Sequence, residues 1–331
     1  MSVGIAGLGW VTPLGAGLEE VWAQVRDGIV PEMKTLTNPE TGRALPYLAT
    51  PPAAVAHLAR NPRLRRASNI SILAVAAGLA ALENAGITMT PEIAASTAVV
   101  FAICDGGVLN TRKFYEQIVK QGANVASPAL FPETVYNAPA SHLAAQLGID
   151  GASYTLVGDS SVGMSALHFA AELLETSNIE QVVVVGAEEC DWILCEAYRH
   201  WRLAHTPLAE GAAALVLKRK GRWKLTTHPG APFTKQRDAS AALSSVLADF
   251  ADAKIERIIA SANGTFIDRA EAAAVATHFP KIPTLAPKTS FGESPGAGAL
   301  MQTILAALTG ETALVSVVGF NHQASAALVS R

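Results

Sequence analysis

The stretch YTLVGDSSVGMSALHFAAELL, residues 154–174, holds the change of period that decides the fold. Tyr154–Val157 is aromatic and β-branched and reads as a strand. Gly158-Asp159 forms a sharp turn, and a long helix with an apolar stripe then starts at Ser160 or Ser161. A side chain placed at such a junction sits among unpaired first-turn N–H groups and the positive end of a helix dipole. That is a platform for a nucleophile, yet the residue presented is a serine. A serine hydroxyl gains little ionisation from a helix dipole and needs an adjacent general base. Helix capping competes with catalysis here, because Asp159 or Ser160 can accept from the first-turn N–H groups.

Working outward, short β-branched runs alternate with alanine-rich helical segments, the signature of an α/β protein with buried sheets. Strands are expected at 3–9, 96–103, 153–157, 181–188, 213–219, 222–228, 257–262, 313–320 and 324–330. Helices are expected at 17–27, 67–86, 110–121, 137–147, 161–176, 236–250, 267–279 and 296–308. The pairs 181–188/213–219 and 313–320/324–330 each close a group in a similar way. This points to two related halves, 1–220 and 221–331, joined near Lys220-Gly221. The opening GIAGLGWVTPLG invites a dinucleotide-binding reading, but Thr12 stands where that fingerprint needs its third glycine, so a strand and tight turn are expected instead.

The chain has 331 residues, half of them hydrophobic and 16% charged, which is ample for a large core. A net charge of −3 gives no electrostatic reason to bind nucleic acid or an anionic membrane. Cys104, Cys190 and Cys195 are odd in number and unpatterned, as suits reduced thiols. The N-terminus lacks a basic signal-peptide region and no apolar run is long enough to span a bilayer, so a cytoplasmic protein is expected. His57, His142, His168, His200, His205, His228 and His278 have no metal-like pairing; no metal and no cofactor are expected.

Several motifs in order resemble the β-ketoacyl synthases, the condensing enzymes of fatty-acid and polyketide synthesis. GLGWVTPLGAGLEEVWAQVRDG (7–28) resembles their first strand–turn–helix, and SPALFPETVYNAPASHLAAQLGIDGASYTLVGDSS (127–161) the approach to the catalytic cysteine. VVVVGAEE (182–189) and LAEGAAALVLKRK (208–220) resemble the strands that follow. NGTFIDRAEAAAV (263–275) stands where the family carries His-Gly-Thr, PKTSFGESPGAGAL (287–300) where it carries Lys-x-x-x-Gly-His, and VVGFNHQASAALV (317–329) resembles the terminal strand pair. The resemblance implies a thiolase-like fold, two related βα halves in αβαβα layers. It also places shortened loops between Tyr198 and Leu208 and before Ser240.

The departures fall on the chemistry. By this resemblance the catalytic cysteine corresponds to Ser160, the first histidine to Asn263 and the second to Glu293. Gly264, Thr265, Asp268, Glu271, Lys288 and Gly292 keep the family pattern. An amide at 263 cannot titrate, and an ionised Glu293 would repel malonate and its enolate, so decarboxylative condensation by the chain alone is expected to be absent. Glu293 also has a structural role open to it, as an acid paired with Lys288 or a backbone donor. His322, in the loop that by resemblance approaches the site mouth, is an alternative base for Ser160 or a space-filling loop residue. Thr265 and Lys288 are expected near substrate, and Phe320 along the acyl path.

The resemblance implies a non-condensing subunit of the chain-length-factor type. Such a subunit pairs with an active ketosynthase, or with itself, and shapes an acyl tunnel served by acyl carrier protein with phosphopantetheine-linked acyl chains. The strand SYTLV (153–157) is expected at the dimer axis. A serine-dependent acyltransferase or thioesterase using Ser160 is the alternative reading, with Glu293 or His322 as base and Asn263 as oxyanion donor. A self-associating scaffold without acyl ligand is a further one.

Overall fold

The computed structural model describes all residues, 1–331. The main strands are β1 (Ser2–Val11), β2 (Thr97–Ile103), β3 (Ser153–Val157), β4 (Gln181–Glu188), β5 (Gly211–Lys218), β6 (Trp223–Thr227), β7 (Arg257–Ile259), β8 (Thr284–Leu285), β9 (Ala313–Val318) and β10 (Gln323–Ser330). Their order in space is β3-β2-β4-β5-β1-β6-β10-β9-β7-β8, and the short strand Ala231–Pro232 adds to β10 off this path.

Outward from the β1–β6 junction the two sets run identically. β1 is antiparallel to β5 and β5 to β4, whereas β4, β2 and β3 are parallel. β6 is antiparallel to β10 and β10 to β9, whereas β9, β7 and β8 are parallel. Ser2–Ile5 pairs antiparallel with Trp223–Thr226 and fuses the two sets into one sheet path.

The layers follow from the period-two alternation of strands buried on both faces. The helices that matter are α1 (Asn69–Asn84), α2 (Ala138–Leu147), α3 (Val162–Thr176), α4 (Ala239–Ala248), α5 (Phe266–His278) and α6 (Pro295–Leu308). Along β2, Ala98, Val100 and Ala102 join the central core with α3 and α6, and Val99, Phe101 and Ile103 join the outer core with α1 and α2. Along β9, Ala313, Val315 and Val317 face the same central core, and Leu314 and Val318 face α4 and α5. Helices α3 and α6 therefore lie between two sheets covered by outer helices, the αβαβα layering of the thiolase fold.

Gly7 and Gly9 lie within β1, and a Cβ there would fall 2.2 Å from the Ala81 carbonyl oxygen and 2.4 Å from that of Ala77. These glycines let α1 approach the strand; they do not form a nucleotide-binding turn. Among the elements with no counterpart in the sequence reading, Trp192–Trp201 is a helix, and Met33–Thr37 and Ala44–Leu48 form a hairpin that pairs with Leu208–Ala209 in a small separate sheet. No helix is long and apolar enough to cross a membrane.

Candidate functional site

The two central helices begin side by side at one end of the sheets, and the residues singled out by sequence gather there. Ser160 lies between the end of β3 and the start of α3, only 3% exposed, and its Oγ has no hydrogen-bond partner. Asp159 makes the capping contact at this turn. Its Oδ1 accepts from the Ser161 backbone N–H (2.9 Å) and from Ser161 Oγ (2.6 Å). Its Oδ2 accepts from the Asn321 N–H. A Cβ at position 319 would fall 2.2 Å from that oxygen, so Gly319 is what lets the terminal loop close over the carboxylate.

Asn263 and Glu293 meet directly. Asn263 Nδ2 donates to Glu293 Oε2 (2.8 Å) and to the Leu203 carbonyl (3.1 Å), and Thr265 Oγ1 donates to Asn263 Oδ1 (2.7 Å). Lys288 Nζ donates to both Glu293 oxygens at 2.9 and 2.8 Å, with side chains only 4% and 1% exposed. The left-handed Gly292 (φ 73°) permits this turn, since a Cβ there would fall 2.7 Å from the Ala209 Cβ.

The short 203–209 segment seals the cluster from outside. His205 and Thr206 donate their N–H groups to the Asn263 carbonyl (2.9 and 3.2 Å). Glu293 donates to the Pro207 carbonyl and accepts from the Ala209 N–H, both at 2.8 Å. Behind it Asp268 accepts the backbone N–H groups of Asn263 and Gly264, and buried Glu271 accepts from Ser261 and Ser316. Burial pushes Glu271 up to about 7.

The chemistry of this arrangement follows from counting donors. A carboxamide has two N–H bonds; both of Asn263's are spent, on Glu293 and Leu203. No amide donor remains for a thioester oxyanion. Glu293 is an acceptor neutralised by Lys288 and makes no hydrogen bond to Ser160. The structure does not bring His322 to Ser160 either: its backbone is left-handed (φ 72°) and its ring packs on Phe233, centroids 5.1 Å apart. Phe320 packs edge-on against Tyr198, centroids 5.9 Å apart.

Sequence reasoning missed a second acidic group in the same end of the molecule. The Glu188 carboxylate accepts from the backbone N–H groups of Cys104 (2.6 Å), Asp105 (3.3 Å) and Gly296 (3.1 Å). Tyr198 donates to Asp105 (3.1 Å). Burial pushes Asp105 to about 6 and Glu188 well above its ordinary range. Ligand atoms of Cys104, Asp105 and Glu188 lie within 4.8 Å of one another, but Glu188 is committed to backbone donors, and we assign no metal to them. The acidic run at 188–189 was a weak signal; the approach of Cys104-Asp105 to it comes only from the parallel β2–β4 pairing. Burial also raises the thiols of Cys104, Cys190 and Cys195, which disfavours their thiolate forms.

The family model for the β-ketoacyl synthase N-terminal domain matches residues 1–222. The chain belongs to the β-ketoacyl synthase family. It is 28% identical to the putative polyketide beta-ketoacyl synthase 2 of Streptomyces cyaneus over 348 aligned positions, covering 90% of this chain and 81% of that protein. It is 28% identical to the 3-oxoacyl-[acyl-carrier-protein] synthase 2 of Vibrio harveyi over 115 residues, which is 35% of this chain and only 28% of that protein. Among solved structures, the ishigamide ketosynthase/chain length factor superposes with a TM-score of 0.77 at 20% identity, covering 99% of this chain and 98% of the other. At that identity the likeness concerns the fold. The family thus shares its architecture with a chain in which Ser160, Asn263 and Glu293 hold the three positions assigned by resemblance to its catalytic residues.

Proposed function

We propose that this chain is a non-condensing ketosynthase-like subunit that pairs with an active ketosynthase and shapes an acyl tunnel in fatty-acid or polyketide synthesis. One observation carries the reading: both Asn263 amide donors and both Glu293 oxygens are satisfied inside the protein, while Ser160 has no base. A site in this state has no hydroxyl activated by a base and no free amide donor at position 263. The similarity to a structure titled as a ketosynthase/chain length factor supports the same reading.

Two surfaces suit the partners this role requires. β3 is an edge strand paired only with β2, and Tyr154 and Val157 on it are 41% and 55% exposed. An unpaired, apolar edge is a template for strand pairing with a second subunit. Tyr115, Val119, Phe131 and Tyr136 are also exposed apolar or aromatic residues of the N-terminal half. For a carrier protein bearing a phosphopantetheine arm, Arg60, Arg63, Arg65 and Arg66 stand exposed in one short segment, none paired with a carboxylate. Such a cluster steers an anionic partner.

The test is co-expression with an intact ketosynthase from the same source. A stable mixed dimer, lost when Tyr154 and Val157 are both replaced by Lys, is the expected result. The serine-enzyme reading predicts instead an acyl adduct on Ser160, visible by intact mass after incubation with an acyl-carrier thioester; that adduct, or a chain that decarboxylates malonyl-carrier protein unaided, would overturn the proposal.

A further inference from the structure

The end of β5 and the turn into β6 read KRKGRWK, residues 218–224: five cations and no acid, in a chain whose net charge is −3. The backbone packs this turn tightly over β1. A Cβ at Gly4 would fall 2.0 Å from the Gly221 nitrogen, and one at Gly221 would fall 2.4 Å from the Ile5 carbonyl oxygen. The Arg222 N–H donates to that same carbonyl at 2.8 Å. The crossing builds an open cleft of about 370 Å³, within the range of small-molecule sites. Arg219, Lys220, Arg222, Lys224 and Arg331 line it, all exposed, and no carboxylate does. None of the five belongs to an ion pair. The cleft is at the opposite end of the sheet from the Ser160 cluster. Gly211 of β5 pairs with Glu188 at the cluster end and Lys218 with Gln181 at the other, roughly 23 Å along the strand at its ordinary rise.

Two of the guanidinium groups are held in place with most of their donors unspent. Arg219 gives one N–H to the Ser177 carbonyl (3.0 Å), and Arg222 lies over the Trp223 ring, its central carbon 4.5 Å from the ring centroid. A guanidinium carries its N–H donors in a fixed fork that matches a phosphate edge bidentately. Like charges gathered on one short turn repel one another, and an anion of several charges relieves that repulsion. The lining narrows the ligand further. Its only apolar side chains, Val3 and Trp223, are 4% and 6% exposed, and Arg222 covers the indole. The cleft therefore offers no floor for a hydrocarbon chain and no open ring on which a nucleobase could stack. A compact chain of phosphoryl groups, with neither lipid tail nor base, is the complementary chemistry.

We infer that this cleft binds a short inorganic polyphosphate, tripolyphosphate in its simplest form, through the guanidinium groups of Arg219 and Arg222 and the ammonium groups of Lys220 and Lys224. The binding is non-covalent and involves no residue of the Asn263–Glu293 cluster. The inference does not rest on the partner-subunit reading: a chain that forms no mixed dimer would still bind the polyphosphate.

The test is isothermal titration of the full chain, in low-salt buffer free of phosphate. The probes are tripolyphosphate, orthophosphate, sulfate, a single-stranded oligonucleotide, and phosphatidylcholine vesicles doped with phosphatidylinositol bisphosphate. Tripolyphosphate should bind at least about tenfold more tightly than orthophosphate, because linked phosphoryl groups reach several cations at once. Its affinity should fall as added salt screens the charges. Arg222→Gln should weaken it by about tenfold or more through lost charge-assisted hydrogen bonds. Arg222→Lys, which keeps the charge without the fork, should fall between the two. Lys220→Gln/Lys224→Gln, a double variant at exposed side chains outside every ion pair, should fold normally and also weaken binding. Lys254→Gln, at an exposed lysine elsewhere, should leave it unchanged. Absence of tripolyphosphate binding, undiminished binding by Arg222→Gln and by the double lysine variant, sulfate binding as tightly as tripolyphosphate, or tighter binding of the oligonucleotide or the vesicles would each overturn the inference.

Discussion

Replacing Lys288 by Met is the sharpest probe of the sealed cluster. In the native chain the ammonium lies 2.8–2.9 Å from both Glu293 oxygens, and the two side chains are only 4% and 1% exposed. Without Lys288 the carboxylate keeps the Asn263 amide but no charge partner. Breaking a buried pair from one side costs about 3–5 kcal/mol. Unfolding entropy of about 2.1 cal/mol/K per residue gives roughly 0.7 kcal/mol/K for 331 residues, so the midpoint should fall by about 4–7 °C. Glu293→Gln alone should cost a similar amount, because it strands the ammonium. The double variant Lys288→Met/Glu293→Gln should recover much of the loss, since the charge is gone and the glutamine carbonyl still accepts from Asn263. Scanning calorimetry and urea unfolding of the four proteins close a double-mutant cycle. A coupling energy within about 0.5 kcal/mol of zero, the scatter expected of independent sites, would refute the argument that Glu293 is held by Lys288.

Two further outcomes follow from the same geometry. Ser160→Cys should not restore condensation: with Asn263 and Glu293 unavailable as oxyanion donors, at about 100- to 1000-fold each, activity should stay at least about 10⁴-fold below an intact synthase, and recovery in a malonyl-carrier assay would contradict the reading. Stability should fall as pH rises through the window from about 4.5 to about 7, because burial pushes Glu271 and Glu189 to about 7 and Asp105 to about 6. The native state then binds more protons than the unfolded chain across that window, so the contribution is present below it and lost as pH passes the raised values. Each glutamate accounts for at most about 3 kcal/mol; the urea midpoint should be higher at pH 5 than at pH 7.5, and Glu271→Gln should flatten the slope.

The fold was legible where periodicity was strong. β3 and β4 have the bounds expected of them, and α1, α3 and α6 lie within one or two residues of theirs, because strands buried on both faces and helices with continuous apolar stripes leave few alternatives. The hairpin 33–37/44–48 was illegible because most of its residues are exposed, so no apolar alternation marks it. Helix Trp192–Trp201 mixes the strong helix formers Leu194, Glu196, Ala197 and Arg199 with Trp, Ile, Cys, Tyr and His, and it packs around Tyr198. At the site, the meeting of Asn263, Glu293 and Lys288 was foreshadowed by the family spacing. The carbonyl of Leu203 and the acids Asp105 and Glu188 were not, since no local pattern records which distant backbone groups a loop will bring.

The sealed cluster also bears on how the three departures relate. A buried amide with two unsatisfied donors, or a buried carboxylate without a cation, each carries a desolvation cost of kcal/mol size. Asn263 is tolerable because Glu293 and the Leu203 carbonyl accept from it, and Glu293 is tolerable because Lys288 and Asn263 donate to it. The Leu203 carbonyl meets Asn263 in a segment that is pinned by the backbone hydrogen bonds of His205, Thr206 and Pro207. Each substitution is thus compatible with burial only in company with the others and with the closed loop. Losing a nucleophile alone would leave an empty oxyanion site open to substrate. In this chain Asn263, Glu293 and Lys288 form an internal ion-pair network, and that network is what supports the proposed role in the shape and surfaces of the fold.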